Sequence, residues 1–206
     1  MSTYHRRRLV ELKHAYDEAR FGADRTLNLR AQLPTAAEAS RRADAWLRER
    51  QASGAREVLV ITGRGNRSEN GLSVVRESVA KTLRTLRRVG VVDTIAEHTP
   101  GSFVVTLAPM RRLWESARRA APAGNDRTAR ATPTLGLDPS TLAMLRDLAE
   151  RSLDALGIRD REVFLEREMA TQLSLLVRAV PDGPDRELRL RDVIRRALEE
   201  DDSRTR

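Results

Sequence analysis

An α/β fold with a four-stranded mixed sheet, followed by an α-helical C-terminal region, is predicted by three observations. Between Thr26 and Ala108 the apolar residues switch between strand-like and helix-like spacing in the order β-α-β-α-β-β. The second strand runs into a Gly-rich turn, VLVITGRGNRSENG over Val58–Gly71, with a helical pattern behind it. Past a stretch dense in Pro, Gly, Thr and Ala, three further segments repeat apolar residues at helical spacing. Strand–helix–strand succession places helices against a sheet and makes its crossovers right-handed wherever consecutive strands lie parallel.

Each element has its own signal. Leu9, Leu12, Tyr16 and Ala19 lie on one face of a basic helix over Tyr4–Phe21 that Gly22 ends. Thr26-Leu-Asn-Leu-Arg30 alternates as a short strand does. Thr35 and Glu38 stand at capping-box spacing, so a helix starts there, buries Ala39, Ala43, Trp46 and Leu47, and stops at Ser53-Gly54. Glu57–Thr62 is a strand whose unbroken apolar run suits a buried position. Leu72, Val75, Val79, Leu83 and Leu86 trace the next helix, which Gly90 terminates. Val91–Ala96 and Phe103–Leu107 flank the turn formers Thr99-Pro-Gly-Ser102, the pattern of a hairpin. Ala120–Gly136 has no hydrophobic period and reads as flexible linker. Asp138-Pro139 opens a helix with Leu142, Leu145, Ala149 and Leu156 inward, stopped by Gly157. Asp160–Val180 carries Val163, Met169, Leu173, Leu176 and Val177, and Asp185–Glu200 carries Leu188, Leu190, Ile194 and Leu198. The expected organisation is therefore a basic N-terminal helix over 1–25, the sheet domain over 26–108, a basic flexible linker over 109–137, three helices over 138–200 and a disordered tail over 201–206. Three helices alone make a small core, so docking on the sheet domain or on a partner would help them.

The 206 residues carry a formal net charge of +8, which favours a polyanionic partner, nucleic acid first. Arginine dominates the cations, since Lys13 and Lys81 are the only lysines. With no cysteine, disulfides, thiolate nucleophiles and Cys-ligated zinc are excluded, and a reducing cytoplasm fits. No export signal or membrane-spanning run is read, because Glu11, Lys13 and Asp17 interrupt the apolar residues behind His5-Arg6-Arg7-Arg8. Aromatic residues are 3% of the chain, which argues for phosphate and shape contacts over a base-stacking platform.

The Gly-rich turn is the strongest chemical signal. Glycines allow close backbone approach, and the N–H groups and dipole at a helix start favour anions. Arg64 and Arg67 add two cations. Neither Gly63 nor Gly65 continues into Gly-Lys-Ser/Thr, so this is no P-loop, and Ser68 replaces the third glycine of a dinucleotide fingerprint. His5, His14 and His98 lack ligand spacing to another His or carboxylate, so no metal site is read; His98 falls in the hairpin turn as a surface residue. Asp93 and Glu97 fit the solvated face of a strand, and Ser68 and Ser73 lack a base for a hydrolase triad.

These residues together resemble the Smr (small MutS-related) domain, built as β-α-β-α-β-β with Leu-Asp-Leu-His-Gly on its first strand and Thr-Gly-x-Gly after its second. Thr62-Gly63-Arg64-Gly65 keeps the second motif, and Asn66, Ser68 and Gly71 look like its longer version. The first motif departs: Asn28 and Arg30 stand where the family has Asp and His, and Ala31 replaces Gly. The resemblance implies DNA or RNA binding, with nicking or cleavage in several members through that Asp and His. Asn cannot act as an anionic base and Arg stays protonated, so binding is better supported than cleavage. The residues expected to face nucleic acid are Asn28, Arg30, Thr62, Gly63, Arg64, Gly65, Asn66, Arg67 and Ser68. No catalytic residue is identified and no cofactor is implied, except a divalent metal such as magnesium if nuclease activity is present. The competing readings are a magnesium-dependent nicking endonuclease, and a protein-interaction module that binds a partner or self-associates through 138–200.

Overall fold

The computed structural model describes residues 16, 17, 19–30, 34–63, 74–120 and 136–205. Helical residues at 16, 17 and 19–21 lead into β1 (Thr26–Asn28), α1 (Ala36–Ala52), β2 (Glu57–Ile61), α2 (Val74–Arg88), β3 (Val92–Thr99) and β4 (Ser102–Leu107). Four helices follow: α3 (Arg111–Ala120), α4 (Pro139–Ala155), α5 (Arg161–Val177) and α6 (Arg186–Thr205). The earlier part of the expected N-terminal helix, Leu72 and Ser73, and residues 121–135 of the expected linker lie outside the described residues.

The sheet is mixed, as predicted, in the order β1-β2-β4-β3. β1 and β2 are parallel, with Asn28 opposite Ile61, while β4 is antiparallel to both β2 and its hairpin partner β3. β1 stops two residues short of the expected Arg30 because the Asn28 side-chain oxygen accepts the Arg30 N–H at 3.0 Å, curling the chain away from the ladder. β3 runs longer than expected and absorbs register shifts between Val92 and Thr94 and between Glu97 and Thr99.

Local chemistry fixes the helix ends. Thr35 and Glu38 form the expected capping box, and Asp138 caps α4 through the Ser140 N–H with Pro139 in the first turn. The backbone N–H and hydroxyl of Thr35 hold the Glu38 carboxyl below its usual range, and the hydroxyl and N–H of Ser140 do so for Asp138. A lowered carboxyl pKa adds stability at neutral pH that is lost as pH falls through the lowered value, so acid loosens these two caps. Gly54 and Gly90 end α1 and α2 with φ of 78° and 80°.

One face of the sheet packs on α1 and α2: Val58, Val60, Phe103 and Val105 meet Ala43, Leu47, Val79, Leu83 and Leu86 in a buried cluster. Leu59 alternates to the other face and, with Phe21, is buried outside that cluster. Residues 16, 17 and 19–21 are tied down by Arg20 to Glu57 and Asp17 to His98, both at 2.7 Å.

The structure corrects the boundary at residue 109. Residues 111–120 are not linker but α3, whose Leu113 and Trp114 are buried with Met110 in the main core. The same core takes in Leu145, Leu148, Leu173, Leu176, Leu190 and Ile194, so the C-terminal helices dock on the sheet layer. Polar ties reinforce the docking. Arg196 of α6 donates to the Ala52 carbonyl at the end of α1, and within the sheet domain Gln51 donates from its buried amide to the Gly90 and Ala108 carbonyls at 2.9 Å each. The tail at 201–206 is a second correction: α6 continues to Thr205, because the Glu200 carboxylate accepts the Met110 N–H at 2.8 Å and Asp202 pairs with Arg151. Burial pushes the Glu200 carboxyl above its ordinary value.

Several apolar residues expected to face inward are exposed: Leu142, Leu156, Val163 and Leu188. The buried stripe of α5 keeps the expected Leu173 and Leu176 and adds Leu165, Glu168 and Gln172, and Val163 is out of phase with it. One Glu168 oxygen accepts from Arg118 at 2.7 Å, Ser152 at 2.8 Å and Gln172 at 3.0 Å, joining α3, α4 and α5. Glu168→Ala removes the shared acceptor of Arg118, Ser152 and Gln172, leaving Arg118 only its bond to Ser152, and should lower the unfolding free energy by about 2–3 kcal/mol, with Glu168→Gln milder. Urea denaturation of the two variants checks both magnitude and order.

Candidate nucleic-acid interface

β1 and β2 run parallel, so their carboxyl ends and the loops that leave them share one edge of the sheet. Crevices beside the carboxyl ends of parallel strands are the usual ligand sites of α/β sheets. That edge holds Asn28 and Arg30 after β1, and Thr62 and Gly63 after β2.

Arg30 and Gly63 meet there. Gly63 has φ of 85°, and a Cβ on it would stand 3.1 Å from Arg30 Cγ and 3.4 Å from Cδ, so the missing side chain makes room for the arginine stem. A left-handed backbone and a close neighbour both demand glycine. Arg30 itself is exposed. Packing the aliphatic stem on backbone while the guanidinium stays in water fits an arginine held ready for an anion.

Thr62 does a different job. Its side chain is buried, and its N–H and hydroxyl both donate to the Gly101 carbonyl, at 2.8 and 3.2 Å, while the Gly63 N–H donates to the same oxygen at 3.0 Å. The turn is therefore clamped to the tip of the β3–β4 hairpin. Asn28 is exposed, but its oxygen is used by the Arg30 N–H, leaving the amide NH2 as donor. Arg64, Gly65, Asn66, Arg67 and Ser68 lie outside the described residues, between Gly63 and the start of α2 at Val74.

Two further features escaped the sequence reading. His98 is not a turn residue at the surface: it sits on β3 at the second register shift, partly buried, with Nε2 2.7 Å from the Asp17 carboxylate. The two are 81 residues apart, so no local spacing could pair them. Glu97 beside it is paired with Arg76 at 2.7 Å, and that guanidinium lies 4.2 Å from the Phe103 ring centre, while Asp93 faces Arg112. The second feature is a cleft of about 500 Å³ beside β1, lined among others by Leu27, Asn28, Arg42, Trp46, Arg178 and Pro181. Trp46 was expected in the buried stripe of α1, and it is only partly buried.

Among the described residues no three His, Asp or Glu side chains group as metal ligands, and no helix is long and apolar enough to cross a membrane.

A four-stranded mixed sheet in this succession, with a glycine turn after the second strand, is the architecture of a small α/β domain with an open strand-end edge. Residues 27–108, less than half of the chain's length, match the family model of the Smr domain. No curated protein and no solved structure matches the chain.

Proposed function

We propose that the chain binds nucleic acid through the edge formed by Arg30, Gly63 and the loop of Arg64–Ser68, by contacts to phosphate and to backbone shape. The observation that carries this reading is the seating of Arg30 on Gly63, which puts a positioned cation beside the glycine turn of the Smr segment. Thr62 acts as the tie that sets the turn, and Asn28 sets the backbone of Arg30. Cleavage is expected to be absent or weak, because the first motif offers an amide and a guanidinium in place of a carboxylate and an imidazole.

The test is binding of labelled duplex, branched DNA and structured RNA across a salt series, with product analysis in magnesium. Affinity should fall steeply, log K losing ~0.7–0.9 per unit of log salt for each phosphate neutralised, with little dependence on sequence. No binding to any of these substrates at low salt would sink the proposal. Magnesium-dependent nicking that copurifies with the protein and disappears in a binding-deficient variant would move it to the nuclease reading.

A further inference from the structure

The cleft beside β1 is built from both parts of the chain. Leu27 and Asn28 come from the edge strand, Arg42 and Trp46 from one face of α1, and Arg178 and Pro181 from the segment joining α5 to α6. Leu27, Leu29, Ala45, Ala179, Val180 and Pro181 make an aliphatic floor, and a flat aromatic, two arginines and an amide stand around it. Glu49 also borders the cleft, and its carboxylate is bound by Arg50 at 2.8 Å. Arg178 is exposed and has no acidic partner among the described residues. The polar part of the space is the Trp46 ring, with the Arg50 guanidinium 5.8 Å from its centre, beside Arg42 and Arg178, a combination complementary to a nucleobase carrying its phosphates.

The cleft also continues into the proposed phosphate edge. Asn28 lines it, and the Asn28 oxygen holds the Arg30 N–H, so only two residues separate the cleft wall from the arginine seated on Gly63. Inside a duplex the base edges are paired and stacked, so only an unpaired nucleotide can present a base face to Trp46. We propose that this cleft is a subsite for an unpaired nucleotide of single-stranded nucleic acid, stacked on Trp46 with flanking phosphates on Arg42 and Arg178. It rests on the nucleic-acid reading of the adjoining edge and adds strand type to it.

The chain has two tryptophans, and Trp114 is 3% exposed in the core, so ligand-dependent emission reports Trp46. The intact protein is titrated with oligo-dT, with oligo-U of equal length and with a blunt duplex. Single strands should quench the emission, and quenching by either supports the subsite while the tighter arm identifies DNA or RNA as its source. Trp46→Ala should remove the quench and weaken single-strand binding by about five- to a hundredfold, the range of one base–aromatic stack, with duplex affinity unchanged. Trp46→Phe should keep most of the affinity, which separates stacking from a folding defect, and Arg178→Glu should weaken single strands from a position that is exposed in the fold. Single strands that bind without changing the emission overturn the subsite, as does a Trp46→Ala loss that is equal for single strand and duplex. Duplex binding with no single-strand binding overturns the subsite alone and leaves the phosphate edge standing; binding of neither overturns both.

Discussion

Gly90→Ala should cost about 3–5 kcal/mol of stability and lower the melting temperature by roughly 10–15 °C, while Gly54→Ala, at an equivalent helix end, should cost only about 1–2 kcal/mol. Both glycines adopt the left-handed conformation, with φ of 80° and 78°, so both alanines bear the same backbone strain. Their surroundings differ. A Cβ at Gly54 would meet nothing nearer than Arg196 Cδ at 3.9 Å, an ordinary contact. At Gly90 it would overlap the Arg112 carbonyl and stand 2.8 Å from Ser116 Oγ, in the first turns of α3. Backbone cannot swing aside as a side chain does, so α2 and α3 must separate. The Gly90 carbonyl also accepts one of the two buried Gln51 bonds, and displacing it leaves polar groups without partners. Thermal melts of the two variants give the comparison. Equal losses would mean that strain alone matters and that α3 is loosely placed.

Gly90 also shows what the sequence reveals and what it hides. As a helix stop it is legible from position alone, because the helical period ends there and glycine suits the cap. That it is the floor on which α3 rests is not legible, since the partner arrives from residues 112–116 through tertiary packing. The same divide runs through the fold. The mixed sheet and the hairpin at Pro100-Gly101 followed from local signals, whereas the placing of β4 beside β2 is set by tertiary pairing. The capping box at Thr35 and Glu38 was read in full. The buried face of α5 includes the expected Leu173 and Leu176, but two of its members, Glu168 and Gln172, are polar: Glu168 accepts from Arg118 and Ser152 of other helices, and Gln172 donates to Glu168. A periodicity search over apolar residues cannot see such members, and it promoted Val163 instead.

The candidate site divides in the same way. Arg30 and the glycine turn could be associated from the sequence because neighbouring strand ends in a β-α-β unit lie side by side. The Asp17–His98 pair and the Trp46 cleft could not, because their members meet across 81 residues in the first case and across the docking of the C-terminal helices in the second. Exposed Leu156, Val163 and Phe164 around the α4–α5 turn show the cost of judging burial from composition: the small cluster there closes on Ala149, Leu153 and Leu165, with Ile158 and Met169 against it, and leaves these three outside.

The triple reversal Arg30→Glu, Arg64→Glu, Arg67→Glu should reduce nucleic-acid affinity at low salt on the order of a thousandfold, with the fold retained. Each change removes one attraction to phosphate, about 1 kcal/mol at contact distance in water, and adds a repulsion of similar size. Over three residues that amounts to about 4–6 kcal/mol before screening, and each 1.4 kcal/mol is a factor of ten. Added salt shrinks the difference, because ions screen repulsion and attraction alike. Replacing the same three residues by alanine removes the contacts without the repulsion, and should lower the salt slope by about two to three phosphates. Stability should change little for Arg30, whose guanidinium is exposed and whose stem can leave Gly63 without opening the core. The arginine also separates two roles for the turn. If Arg30→Glu alone weakens binding as much as the Arg64→Glu, Arg67→Glu pair does, the positioned cation dominates; if it does little, the glycine loop carries the contacts. Unchanged affinity in a triple variant with native circular dichroism would remove the strand-end edge as the binding surface, and the partner of this basic chain would then have to be sought on its helical faces.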